Sequence, residues 1–175
     1  MHKAVFFDRD GVINQKANEH DYIKIWNEFK LIPEIIGVMQ HVQLKGYKII
    51  IVTNQRGIAR GIMTINNLNK IHENLRQLLH IHNIYITGIF YCPHDIHENC
   101  SCRKPKVGMF LEAKKLYNIN FEQSFLIGDS LTDIMAANAL KIKSILYNES
   151  AINKKFEPMP RYIVTDLSEI NKIID

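Results

Sequence analysis

Residues 47–52, Tyr47-Lys48-Ile49-Ile50-Ile51-Val52, form a near-continuous apolar run between Gly46 and Thr53. A strand with one wet face alternates apolar and polar side chains. One without alternation is buried on both faces, the signature of a parallel sheet covered by helices on either side. Parallel strands need long crossovers, and the remaining pattern supplies them. Strands are expected at 3–7, 47–52, 85–91, 124–127, 144–147 and 162–164. A helix is expected from Pro33, a residue suited to the first helical position, to Leu44, with Ile35, Ile36, Met39 and Val42 at helical spacing and Gly46 to end it. Thr64 is placed to cap a second helix, reaching to about 82, with Leu68, Ile71, Leu75, Leu78 and Leu79 on one face. Further helices are expected at 108–117, 132–140 and 167–174. Segment 14–27 is polar and irregular, with Trp26 and Phe29 as packing anchors. The alternation predicts an α/β chain, a Rossmann-like three-layer α/β/α arrangement around a mainly parallel sheet.

Composition narrows the class. The 175 residues suit one domain spanning 1–175, and a content of 46% hydrophobic and 23% charged residues is that of a soluble globular chain. The net charge of +4 comes without a Lys/Arg run, which fits an anionic small molecule at least as well as nucleic acid. No stretch approaches the roughly 20 apolar residues of a membrane span, and the apolar start stops at Phe7, too short for a secretory signal. The three cysteines, Cys92, Cys100 and Cys102, lie in one segment. That is a poor number for a disulfide framework and a good one for a metal site in a reducing compartment. A cytoplasmic monomer with no membrane or nucleic-acid partner is the expectation.

The first expected strand ends in Asp8-Arg9-Asp10-Gly11. Residues i and i+2 of an extended segment share a side, so both carboxylates can face one small volume. Taken alone, Asp-x-Asp-Gly is equally a turn that ends a strand. Its standing rises because other polar motifs fall at other strand ends: Thr53-Asn54-Gln55-Arg56 after 47–52, and Gly128-Asp129 after 124–127. In open α/β sheets ligands bind beyond the carboxyl ends of strands. Arg103-Lys104-Pro105 comes shortly before a helix. Asp8, Asp10 and Asp129 together offer an all-oxygen site suited to Mg²⁺, and Lys104, Thr53, the Asn54 amide and loop N–H groups suit a phosphoryl group. An aspartate there can act as a nucleophile, and a second can protonate the leaving group and then activate water. Asp133, one helical turn after Asp129, either supports the metal site or caps a backbone amide.

Four motifs carry a resemblance: Asp8-Arg9-Asp10-Gly11-Val12-Ile13-Asn14, Thr53-Asn54-Gln55, Arg103-Lys104-Pro105, and Gly128-Asp129-Ser130-Leu131-Thr132-Asp133. In type and order they resemble those of the haloacid dehalogenase superfamily of phosphatases. The resemblance implies Asp8 as nucleophile, Asp10 as general acid/base, Thr53 and Lys104 on the phosphoryl group, and Mg²⁺ on Asp8, the Asp10 carbonyl and Asp129.

Cys92-Pro93-His94 and Cys100-Ser101-Cys102 make two short ligand pairs, and three thiolates with one imidazole fill a closed tetrahedral Zn²⁺ shell. His97 is the alternative imidazole, and three adjacent free thiols the plainer reading. With this loop at 92–102 the chain is similar to the heptose-bisphosphate 7-phosphatases and the histidinol-phosphate phosphatases, which lack a separate cap domain. The loop Gly57-Ile58-Ala59-Arg60-Gly61 and Val12-Ile13-Asn14 look more like the former. The resemblance therefore implies hydrolysis of a small phosphorylated sugar on the way to lipopolysaccharide. The alternatives are histidinol phosphate, a polynucleotide 3′-phosphate, or a non-catalytic zinc-stabilised binding module. Arg56, Arg103 and Lys106 then contact a second phosphate or are exposed charges.

Overall fold

In the computed structural model of the protein, residues 1–18, 21–148 and 156–175 are described. Glu19 and His20, within the polar segment expected at 14–27, lie outside the described residues. The strands are β1 Ala4–Phe7, β2 Lys48–Asn54, β3 Ile86–Cys92, β4 Phe125–Gly128, β5 Lys143–Tyr147 and β6 Tyr162–Val164. The helices are α1 Ile35–Leu44, α2 Ile65–Ile81, α3 Gly108–Tyr117, α4 Leu131–Ala139 and the single turn α5 Ile170–Ile173.

All neighbouring strands pair in parallel, in the order β3-β2-β1-β4-β5-β6. The chain winds outward from β1 through β2 to β3, then returns to the other side of β1 as β4. β1 and β4 are thus adjacent strands whose onward connections part in opposite directions, the switch point at which such sheets open a crevice.

Alternation along the central strands divides the interior in two. Val5, Phe7, Ile49 and Ile51 face α1, α2 and α5, packing on Val38, Met39, Leu68, Ile71, Leu75 and Ile170. Ala4, Phe6, Ile50 and Val52 face α3 and α4, against Met109, Phe110, Ala113, Ala136 and Ala137. The Phe6 and Phe110 rings lie 5.1 Å apart, and burying each contributes about 2 kcal/mol. Both sides of β1 are buried, as the run in β2 required.

Several boundaries differ from the sequence expectation. The first helix starts at Ile35, because Pro33 and Glu34 form the turn that enters it. β2 runs on through Thr53 and Asn54, which register against Tyr91 and Cys92 of β3. The last helix begins as a 3-10 turn, Leu167–Glu169, ahead of the single turn of α5. Leu78 and Ile36 are only partly buried. Among the described residues no helix is long and apolar enough to cross a membrane.

Candidate active site

The alternation that fills the two cores also sorts the polar residues beyond the strand ends. The backbone N–H of Asp8 still pairs with the Ile127 carbonyl, at 2.9 Å, so the next residues inherit the strand's sidedness. Asp8 follows Ala4 and Phe6 toward α3 and α4. Arg9 follows Val5 and Phe7 toward α2.

On the α3/α4 side Asp8 meets Lys104. The Lys104 Nζ lies 2.9 Å from Asp8 Oδ1 and 2.7 Å from Asp133 Oδ1, and donates to the Val52 carbonyl at 2.9 Å. Lys104 is 2% exposed and Asp133 0%, a degree of burial at which a lone charge is very costly and a pair must be fully engaged. Burial works against the Lys104 charge, but Asp133 and Asp8 raise its affinity for the proton above the ordinary lysine value. Asn54, the last residue of β2, holds the Lys104 backbone from both sides: its Nδ2 donates to the Lys104 carbonyl at 3.2 Å and its Oδ1 accepts from the Lys104 N–H at 3.0 Å. The second carboxylate oxygen of Asp133 accepts from the Ser130 N–H at 3.2 Å and from its hydroxyl. Asp133 therefore caps α4, one of the two roles that the sequence left open, and also pairs with Lys104, a contact the sequence did not suggest.

Gly128 and Gly11 make the close approaches possible. A Cβ on Gly128 would collide with Asp133, and one on Gly11, whose φ is +94°, would collide with the Asp129 carboxylate. Asp8, Asp129 and Asp133 each offer an oxygen within 4.8 Å of the others. Burial first, then Asp133 and Asp129, push the Asp8 carboxyl up to about 7 despite Lys104, and burial likewise raises Asp129. Lys16 reaches across the loop to ion-pair with Asp129. Crowded carboxylates whose protons are hard to lose, with oxygen as the only donor, fit a small hard dication.

On the α2 side lies a second network. Both oxygens of Asp10 accept hydrogen bonds: Oδ1 from Arg9 Nε (3.2 Å), Arg9 Nη2 (3.0 Å) and Asn14 Nδ2 (2.9 Å), and Oδ2 from Arg9 Nη2 (3.0 Å) and Gln55 Nε2 (2.9 Å). Burial pushes the Asp10 carboxyl up, but Arg9, Asn14 and Gln55 outweigh it and hold the group below the usual carboxylate range. Gln55 Nε2 also donates to Thr53 Oγ1 at 2.8 Å. Thr53, Asn54 and Gln55 thus stand at the site, Gln55 and Asn54 as supports of Asp10 and Lys104.

Arg56 pairs with Asp95, its Nε and Nη2 at 2.7 and 2.6 Å from Oδ1. Burial raises Asp95, but Arg56, the Ile96 N–H and Arg60 bring it down to about 2. Arg103 and the exposed Lys106 border a cavity of about 340 Å³ together with Asp95, Ile96, Asn99 and Thr132. A second opening of about 420 Å³ lies over Asp129, between Gln15, Lys16, Ile32 and Tyr147. Arg9 and His72 went unread in the sequence. An arginine between two aspartates looks like a solvated charge, and a lone histidine on a helix carries no motif.

The cysteine loop closes on itself. Cys92 ends β3, and Asp95 caps a 3-10 turn, Ile96–Glu98. His94 Nδ1 lies 3.2 Å from Cys102 Sγ and 3.6 Å from Cys92 Sγ, and the Cys92 sulfur lies 3.6 Å from that of Cys100 and 3.1 Å from that of Cys102. His94, not the exposed His97, completes the cluster. Ligands about 2.0–2.3 Å from a tetrahedral zinc stand roughly 3.3–3.8 Å apart, so the cluster has nearly the size of that shell. Burial and the neighbouring sulfurs raise the Cys92 thiol, a penalty that a cation removes.

Comparison with known proteins accords with this geometry. The family model described as Polynucleotide kinase 3 phosphatase matches residues 3–157. The chain is 33% identical over 182 residues to the D-glycero-beta-D-manno-heptose-1,7-bisphosphate 7-phosphatase of Pasteurella multocida (strain Pm70), covering 99% of this chain and 97% of the relative. The protein of the same description from Photorhabdus laumondii is 35% identical over 180 residues, with 98% and 94% covered. Among solved structures, a D,D-heptose 1,7-bisphosphate phosphatase from B. bronchiseptica, complexed with magnesium and phosphate, superposes with a TM-score of 0.88 at 26% identity, covering 98% of this chain and 97% of the other. With a family model over most of its length and such relatives over nearly all of it, the chain is a phosphatase and belongs to the haloacid dehalogenase phosphatase family that contains the heptose-bisphosphate 7-phosphatases.

Proposed function

We propose that the protein hydrolyses the 7-phosphate of D-glycero-β-D-manno-heptose 1,7-bisphosphate, with Asp8 as nucleophile. The observation that carries this is the Asp8–Lys104–Asp133 chain of ion pairs, which sets the Asp8 carboxylate, its Oδ1 also accepting from the Arg9 N–H at 2.7 Å, beside a buried cation just beyond β1. Asp8 attacks phosphorus, the bond from phosphorus to the sugar oxygen breaks, and an aspartyl-phosphate forms. Lys104 offsets the charge of the transferring oxygens. Asp10, ionised before substrate binds, must take up one proton to act as the acid. It gives that proton to the leaving oxygen, takes another from the water that attacks the aspartyl-phosphate and returns it to solvent, releasing inorganic phosphate and restoring both aspartates. Thr53 is available to the phosphoryl oxygens from the end of β2.

Asp8, the Asp10 backbone carbonyl and Asp129 would hold Mg²⁺, which when bound supplies charge neutralisation between an anionic nucleophile and an anionic substrate. Cys92, His94, Cys100 and Cys102 would hold one structural Zn²⁺. The neighbouring magnesium- and phosphate-bound heptose phosphatase structure and the relatives of that description support this reading. The matching family model has a polynucleotide description, but the net charge of +4 comes without the basic-aromatic stripe that single-stranded nucleic acid requires.

The test compares rates on heptose 1,7-bisphosphate, histidinol phosphate and a 3′-phosphorylated oligonucleotide, with Asp8→Asn as the control. Heptose bisphosphate is expected to be preferred, and Asp8→Asn to abolish phosphate release while retaining fold and zinc content. Preference for either other substrate overturns the substrate assignment. Retained turnover by the variant overturns the nucleophile.

A further inference from the structure

Behind the two aspartates of Asp8-Arg9-Asp10 stands a charged group that the mechanism above does not use. Arg9 has no exposed surface, on a face where Val5 and Phe7 before it are core residues. Its guanidinium engages Asp10 through Nε and Nη2, with Nη2 also 3.2 Å from Gln55 Oε1. The remaining edge, Nη1, lies 3.4 Å from Nε2 of His72. His72 sits on the buried face of α2 among Leu68, Ile71 and Leu75, its ring 5.9 Å from that of Tyr91.

Packing alone calls for apolar residues at both positions. Two polar groups meet there instead, and a buried charge is retained at considerable cost. Burial and the Arg9 charge keep the imidazole neutral at ordinary pH. Its Nε2 therefore accepts from Arg9 Nη1, with the ring proton on Nδ1.

We propose that His72 and Arg9 are positioning residues for Asp10: α2 holds His72, His72 holds the far edge of the guanidinium, and the guanidinium aims the Asp10 carboxylate at the leaving-group oxygen. This rests on the assignment of Asp10 as acid/base. Proton transfer needs heavy atoms within about 3 Å, and a misplacement of about 1 Å can cost up to 10²-fold. Without His72 the guanidinium is free to rock about its bonds to Asp10, and the carboxylate moves with it.

The readout is kcat/KM on two leaving groups, since this quantity covers the steps through aspartyl-phosphate formation. A sugar alkoxide must be protonated as it leaves. p-Nitrophenolate, a much weaker base, departs without that proton. His72→Leu is expected to lower kcat/KM about tenfold on the sugar phosphate and less than about twofold on p-nitrophenyl phosphate. His72→Gln, which keeps an acceptor near Nη1, is expected to restore most of the loss. Arg9→Lys is expected to show the same selective loss, and provides the readout if His72→Leu does not fold. Equal losses on both substrates, or none on either, overturn the relay, because a merely structural defect does not distinguish leaving groups. Asp10→Asn separates the two levels. Selectivity there but not in the His72 and Arg9 variants removes the relay alone, whereas its absence in Asp10→Asn removes the acid/base assignment.

Discussion

At the scale of single residues, the balance between burial and the charges beside it decides which state each titrating group occupies. His72 is the clearest case, lowered from 6.5 to about 3 by burial and then by the Arg9 charge. The native imidazole stays neutral where the unfolded chain would take up a proton. Below about pH 6.5 the unfolded state therefore binds more protons, and stability falls as pH drops from there toward 3. One such group contributes at most about 1.4 kcal/mol per pH unit. Urea unfolding of the parent and of His72→Gln between pH 6.5 and 4 is expected to show the steeper fall in the parent, and parallel profiles would remove His72 as the source. Gly11 makes a different residue-scale point. Its positive φ and the missing Cβ together let Asp129 stand against the loop that carries Asp8 and Asp10. Asp-x-Asp-Gly announces a turn in the sequence, but the partner that needs the space lies far along the chain.

At the scale of elements, the cysteine loop and the lysine motif form one unit. Residues 92–102 offer few apolar side chains: Ile96 is exposed, and His97, Glu98, Asn99 and Ser101 face solvent. With a metal bound by the Cys/His cluster, such a segment would gain order from the metal rather than from a core. Lys104 follows Cys102 by two positions, and Asn54 holds its backbone from the end of β2. Cys102→Ser is expected to reduce zinc content from about one per chain to little, and to lower kcat by about 10–100-fold through loss of Lys104 placement. Metal analysis alongside steady-state kinetics checks this. A zinc-poor variant with full kcat would uncouple the loop from the site. The ligand spacing was legible in the sequence, as was the Thr64 cap, whose Oγ1 accepts from the Asn67 N–H at 3.1 Å. The start of α1 was not, because Ile35 and Ile36 bond back to Ile32 and Pro33 in a turn that resembles a helix locally.

At the scale of the whole molecule, the site depends on where the strand order reverses, between β1 and β4. β1 lies between β2 and β4 with both faces buried, while β3 and β6 are the edges. Opening the centre requires breaking both cores, whereas an edge can part from one neighbour alone. Hydrogen exchange is therefore expected to be slowest in β1, β2 and β4 and faster in β3 and β6, with the order read by peptide-resolved mass spectrometry. Faster exchange in β1 than in β6 would contradict the two-core picture.

Local pattern by itself determined a good deal here. Apolar runs without alternation require strands buried on both faces, which in turn require helical crossovers, and Asp8, Thr53 and Asp129 fall at strand ends because polar chemistry cannot sit within those runs. Strand order is not a local property. The adjacency of β1 and β4, which brings Asp129 to Asp8 across 121 positions of sequence, arises only when the crossovers pack. The same holds for Asp133 reaching Lys104, Arg56 pairing with Asp95, and Arg9 meeting His72 beneath α2. Each is a charge whose partner is chosen by tertiary packing, and packing exists only in the folded chain.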